Sequence, residues 1–238
     1  MGGLYSPPFG GKIAKFPGDK LTMSTRAALN TYLLDGNTVA NYQPGNYTGT
    51  TNATAWANSI GAAPSLSGHG TGGGPTINAD GSLTFNGTDQ YMKMATTLVQ
   101  PETIILVTKP ISWTASHYLF DGASGVASGS VVDVISSPQI QMSAGAGAAR
   151  NSNLAVGAYG ILVATFNGAS SYLQVNNTAQ TTGDAGAKNM SGLTLSAIQN
   201  LAGFGNQQVK EIIIRNVADS AATQASIRTL LKALYNTP

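Results

Sequence analysis

Between Ser82 and Arg215 the chain breaks into ten short stretches of strand character, separated by turns centred on glycine and asparagine. They predict strands over 82–86, 90–95, 103–109, 117–121, 130–135, 138–143, 159–166, 171–176, 193–198 and 207–215. The run 80–94, DGSLTFNGTDQYMKM, shows the pattern most clearly. Leu83 and Phe85 alternate with Ser82 and Thr84, the period of a strand with one buried face. Asn86-Gly87 supplies a turn, and Tyr91 opens the next strand. Many short strands joined by such turns point to an antiparallel β-sandwich.

The ends of the chain depart from this pattern. Ile227, Leu230, Leu231 and Leu234 fall at i, i+3, i+4 and i+7, a single helical stripe, with Asp219 or Ser220 placed as N-cap. A helix over 220–235 is predicted, its stripe turned to the sandwich. Residues 22–34 predict a second short helix, ended by Gly36. The stretch 37–74 reads as turn-rich, and 67–74, SGHGTGGG, as a flexible loop. Residues 1–20 are rich in Gly and Pro, yet Tyr5, Phe9, Ile13 and Phe16 punctuate them. Such an arm has two places to go: onto a neighbouring chain, or back over its own sandwich. The expected organisation is an N-terminal anchoring arm over 1–25 and one sandwich domain over 26–238.

Length and composition narrow the function. The 238 residues fit one all-β domain, which runs to roughly 200–250 residues. Only 9% of them are charged, against the usual value of about 25%. Ser, Thr, Asn, Gln and Gly must therefore cover the surface, which suits close contact with protein or sugar. Lys and Arg are scattered at a net charge of +2, with no basic stripe for nucleic acid. There is no Cys, hence no disulfide and no thiolate metal site. No apolar run approaches the ~18 residues of a membrane span. Residues 1–25 lack a charged segment followed by an apolar one, so no secretory leader is expected.

Several motifs carry a family resemblance. Trp56-Ala-Asn58-Ser59-Ile60-Gly61 resembles the W-x-(D/N)-x-S-G opening motif of the laminin-G-like, concanavalin A-like jelly rolls, with one residue inserted before the glycine. The run 80–94 resembles that family's strand, F-(D/N)-G-(S/T)-D, strand signature. VATFNG at 163–168 and YLQVNN at 172–177 resemble its V-A-T-(F/Y)-D-G and L-Y-V-N-G segments. The end, 207–235, resembles a strand G-x-I-x-E-(V/I)-I-I-Y-N leading into a helix closed by tyrosine, with Glu211 and Tyr235 in the places of the family's glutamate and closing tyrosine. The resemblance spans about 26–238. It implies an antiparallel jelly roll with a short C-terminal helix, and it implies that Trp56 is core. Asn58 and Asn167 stand where the family usually has aspartates.

The chemistry these residues could support is limited. Glycan cleavage needs two carboxylates flanking the bond. The family's glycosidase branch carries them as E-x-D-x-x-E on one strand. This chain has only Glu102 and Glu211, each without a carboxylate two or three residues away. Glu211 is expected to accept hydrogen bonds from a neighbouring loop instead. Gly68-His69-Gly70-Thr71 lacks the serine context of a triad, and 70–74 lacks the Lys-Ser/Thr of a P-loop. Asp121, Asp133 and Asp184 are ligand types for calcium but are not spaced as a loop motif, so no cofactor and no metal is expected. Sugar binding uses exposed rings beside planar polar groups. Trp113, Tyr118 and Tyr159 are the candidates, the alternative for Trp113 being a cover over the edge of its own sheet.

The expectation is a structural protein of a bacteriophage virion with no enzyme activity. It would be a capsid decoration, head-fibre or tail-associated protein, multicopy and held by its arm to other virion proteins. The alternative is a carbohydrate-binding module or receptor-binding adhesin for host surface glycans.

Overall fold

A computed structural model describes residues 20–123, 131–136, 138–146 and 149–238. In chain order the elements are α1 (Lys20–Leu33), β1 (Thr38–Thr48), β2 (Ala55–Asn58), β3 (Leu66–His69), β4 (Thr76–Ile77), β5 (Leu83–Asn86), β6 (Tyr91–Leu98), β7 (Glu102–Pro110), β8 (Tyr118–Asp121), β9 (Val131–Ser136), β10 (Gln139–Ser143), β11 (Arg150–Asn151), β12 (Gly160–Phe166), β13 (Tyr172–Val175), β14 (Thr181–Thr182), β15 (Met190–Leu195), β16 (Asn206–Arg215) and α2 (Ala221–Tyr235). The ten predicted strands and both predicted helices are present. The expected arm anchors Tyr5, Phe9, Ile13 and Phe16 lie outside the described residues.

Antiparallel pairing links the strands in the order β11-β10-β9-β8-β15-β6-β3-β2-β1-β16-β7-β12-β13-β14, with β4 and β5 joined alongside β16. The β1 strand belongs to both halves of this path. It pairs with β16 from Thr38 to Tyr42 and with β2 from Tyr42 to Thr48, and its register shifts between Tyr42 and Tyr47. The two halves enclose the main core, which includes Trp56, Phe85, Met92, Leu106, Phe120 and Phe166. Buried Trp56, as the family motif implies, donates from its indole to the Gln43 carbonyl at 2.7 Å.

A second core explains the longest apolar runs. In β7, β12 and β16 successive residues are buried on both faces. Ile104, Leu106 and Ile212 enter the main core, whereas Ile105, Val107, Ile161, Val163 and Ile213 pack against Leu29 and Leu33 of α1 and Ile227 and Leu231 of α2. Burying each such side chain contributes roughly 1.5–3 kcal/mol, so the helix pair forms a third layer. The hydroxyl of Ser220 caps α2 by accepting from the Thr223 amide at 3.1 Å.

The reading of 37–74 as turns is corrected by β1, β2 and β3. Their alternation is obscured because the buried positions include Asn41 and because the shift in β1 resets the pattern. Nor is 67–74 simply a loop: it begins in β3 and runs on into a 3-10 turn over Thr71–Gly73. A Cβ on Gly68 would lie 2.0 Å from the Ala53 carbonyl oxygen, so this glycine permits close strand approach rather than flexibility.

Candidate functional site

On the helix side, the fully buried Glu211 carboxylate organises the surface. Arg26 of α1 grips it with both terminal nitrogens, at 2.7 and 2.8 Å, and the Asn41 amide of β1 donates to it at 2.7 Å. The Tyr235 hydroxyl of α2 donates to the same carboxylate and accepts from Arg26 at 2.8 Å. Burial works against the charge on Arg26, but the hydrogen bonds and charge of Glu211 outweigh it and hold the guanidinium above the usual arginine range. The expected loop partner of Glu211 is therefore replaced by two helices and a strand. With its oxygens engaged in this way, Glu211 ties the two helices to the sheet.

Arg26 and Tyr235 also form part of the wall of a cleft of about 850 Å³ between α1, the Gln43-Pro44 bend of β1, Ala79-Asp80 and the end of α2. Lys210 bonds Asp80 across it at 3.2 Å and sits 4.3 Å from the Tyr159 ring centroid. The Tyr159 hydroxyl donates to Gln208 at 3.0 Å, and burial, with the Asp80 charge, pushes it up to about 12.

The other half of the sandwich presents rings. In β6, Met92 and Met94 point to the core, leaving Tyr91 and Lys93 on the outer face. His69 is Tyr91's partner in register on β3, and its exposed ring stacks on Tyr91 at 4.8 Å between centroids and 12° between planes. Phe204, half-buried, continues the row 6.2 Å from Tyr91. The Tyr118 backbone bridges to Phe204, and its amide donates to the Gly203 carbonyl at 2.8 Å. The Tyr118 ring lies so close to Gly203 that a Cβ there would sit 2.7 Å from it. Beyond Tyr118 the row ends in a small hollow lined by Trp113, His117 and Asn206, among others. Trp113 is half-buried against the main core, and its indole N–H is buried with no hydrogen-bond partner among the described residues.

The candidate rings are thus split. Trp113 and Tyr118 meet at one hollow, whereas Tyr159 lies on the opposite half beside the cleft. Trp113 is a half-buried lining residue, nearer to a cover over its own sheet than to an exposed ring. His69, Tyr91 and Phe204 were not among the candidates because they come from three distant segments. One signal was present: Tyr91 occupies an outward position in the alternation of β6.

Asp121 and Asp133 lie on this half too. Asp121 accepts from the Gly122 and Gln199 amides at 2.7 and 2.9 Å. Among the described residues no three His, Asp or Glu side chains gather as a metal site.

No family model and no curated protein matches the chain. Solved structures do. Trypanosoma rangeli sialidase in complex with sialic acid superposes over 92% of this chain and 39% of its own, with a TM-score of 0.60 at 11% identity. Domain 4 of AbnA, a GH43 extracellular arabinanase from Geobacillus stearothermophilus solved with arabinotriose, superposes over 82% of this chain and 98% of its own, with a TM-score of 0.63 at 15% identity. A botulinum neurotoxin type C structure, whose cell entry is described as dependent upon interaction with two ganglioside molecules, covers 85% of this chain and 52% of its own at 10% identity, with a TM-score of 0.60.

The likeness is one of fold. It establishes the sandwich and corrects one expectation. The missing E-x-D-x-x-E strand had argued against any enzyme, yet the matching chains include a sialidase and a domain of an arabinanase. The absence of that motif therefore does not set this sandwich apart from enzyme polypeptides.

Asp133 gives a test of the outer face. Burial pushes its carboxyl up to about 6; Asp121 adds to the push, while Gln141 and Arg150 oppose it. The folded value lies above the unfolded one of about 3.9. Its contribution to stability is thus fully present below pH ~4 and is lost as the pH rises through about 6. Asp133→Asn is expected to stabilise the fold by about 1–3 kcal/mol at pH 7.5 and little at pH 4, measured by urea unfolding at both. An equal effect at the two pH values would contradict this assignment.

Proposed function

We propose that this chain is a carbohydrate-recognising sandwich that holds a sugar chain along the His69–Tyr91–Phe204–Tyr118 row. The observation that carries this reading is the row itself: the His69, Tyr91 and Phe204 rings from β3, β6 and the 196–205 loop lie side by side on the outer face of one half of the sandwich, and Tyr118 of β8 is joined to Phe204 by a backbone bridge. The electron-rich faces of such rings attract the C–H faces of pyranose and furanose rings. Flanking polar groups, among them Asp89 and Lys93, can bond hydroxyls and fix orientation. Trp113 supplies a buried donor at the end of the row. The matching chains support this reading: one was solved with sialic acid, one with arabinotriose, and the third belongs to a toxin whose cell entry depends on gangliosides. The laminin-G-like assignment within the concanavalin A-like jelly rolls belongs to the same proposal and rests on the sequence motifs.

A setting is proposed with it: display on a bacteriophage virion, as a capsid decoration, head-fibre or tail-associated protein. Its support is the 9% charged composition, which leaves a surface suited to close assembly, and the spacing of Tyr5, Phe9, Ile13 and Phe16 through a Gly- and Pro-rich N-terminal sequence. Purified particles should then contain the chain in stoichiometric copies by mass spectrometry, and particles without it would end that part of the proposal.

For recognition, a glycan array that includes arabino-oligosaccharides and sialylated chains is expected to give hits with the wild type. His69→Ala and Tyr91→Ala should each weaken the best hit about tenfold, near 1.4 kcal/mol, with unchanged circular dichroism. An array silent to the wild type, or hits indifferent to both substitutions, would refute the reading.

A further inference from the structure

The cleft on the helix side is not part of the aromatic row, and its chemistry differs. Met23, Arg26, Ala27 and Asn30 fall at i, i+3, i+4 and i+7, so one stripe of α1 lines it while Leu29 and Leu33 face the second core. We propose that this cleft is a second binding site, for an uncharged amphipathic molecule that lays an apolar body on Met23, Ala27, Pro44 and Leu234 and donates an O–H or N–H hydrogen bond to Asn30.

Four observations carry the assignment. The volume, about 850 Å³, lies within the range of small-molecule sites. The accessible surface of the walls is mainly apolar although polar residues share the lining, and Met23 is 73% exposed, a large apolar side chain left uncovered. The charges are already matched internally: Arg26 is bound to Glu211, and Lys210 to Asp80. A charged ligand would be desolvated without finding a free counter-charge, which selects against it. Finally, the Asn30 side-chain oxygen is buried and has no hydrogen-bond partner among the described residues. A buried acceptor in that state is costly, and a turn of the half-buried Asn30 side chain toward the cleft would let a ligand donor relieve the cost.

The test uses the full chain with n-octyl β-D-glucoside below its micelle concentration, and free glucose and octyl sulfate as comparisons. Calorimetry should show saturable binding of the alkyl glucoside at one site, with neither comparison binding there. Amide chemical shifts should move along α1 and around Ala79-Asp80. Ala27→Phe, which fills the cleft from an exposed helix position, should reduce affinity at least tenfold. Asn30→Leu, which keeps the wall apolar but removes the acceptor, should reduce it about three- to tenfold. Thermal unfolding of both variants establishes that they are folded. The proposal is overturned if binding is absent, if either variant binds as the wild type does, if octyl sulfate binds equally well, or if the shifts map to Tyr91 and Phe204. Self-association abolished by Ala27→Phe would assign the cleft to a second copy of the chain, and would overturn it too. Because the row and the cleft are on opposite halves, failure here leaves the sugar reading untouched.

Discussion

The buried Glu211 carboxylate is the tie on which the arrangement of layers depends. Hydrophobic burial alone would let α1 and α2 slide over the faces of β7, β12 and β16, because packing of Ile, Val and Leu has little directional preference. A buried anion cannot tolerate that freedom. Its desolvation is offset only when Arg26, Asn41 and Tyr235 are all in place. Two residues further along β16 Ile213 packs on the helices, and two beyond that Arg215 is buried at the other end. Arg215 bonds Asp219 at 2.6 Å and Asp35 at 2.7 Å, and also reaches the Tyr32 carbonyl and Thr38. The charge–apolar–charge alternation of Glu211, Ile213 and Arg215 therefore fixes the helix layer at two points, while Ile212 and Ile214 hold the same strand in the main core.

Much of this was legible in the chain. The sequence EIIIR carries both faces of β16, and the family resemblance marked Glu211 and Tyr235 separately, two residues that the fold brings into contact. The regular alternation of Leu83 and Phe85 and the stripe of Ile227 and Leu231 announced their elements directly. What escaped was structure whose buried positions are polar or glycine. Asn41 occupies a core position because Glu211 needs a donor there. Asn58, where the resembling family has aspartate, accepts from the Asn41 and Ile60 amides and donates to the Ala63 carbonyl, which makes it a local knot rather than a cation ligand. Gly68 looked mobile because sequence does not reveal the neighbouring Ala53 carbonyl. The aromatic row was illegible for a related reason: His69, Tyr91 and Phe204 have no shared period, and only strand order brings them together.

The division of labour between the faces follows from this. The helix-side charges near the cleft are used up in pairs, and the chain's low charge content leaves few elsewhere. On the proposed reading, recognition on the opposite half falls to ring faces and the polar groups beside them, the chemistry that fits sugar. The similar folds of a sialidase, an arabinanase domain and a neurotoxin show that one sandwich serves in very different proteins. Function is accordingly argued from the row and the cleft rather than from the architecture.

If Glu211 is the tie, Glu211→Gln leaves shape and volume almost unchanged while the largely buried Arg26 guanidinium loses its anion. Hydrogen exchange followed by mass spectrometry, together with urea unfolding, measures the consequence directly. The account predicts a loss of about 3–5 kcal/mol, with amide protection falling first in α1 and α2 and the main-core strands affected later. A variant with wild-type stability and unchanged protection in both helices would contradict it.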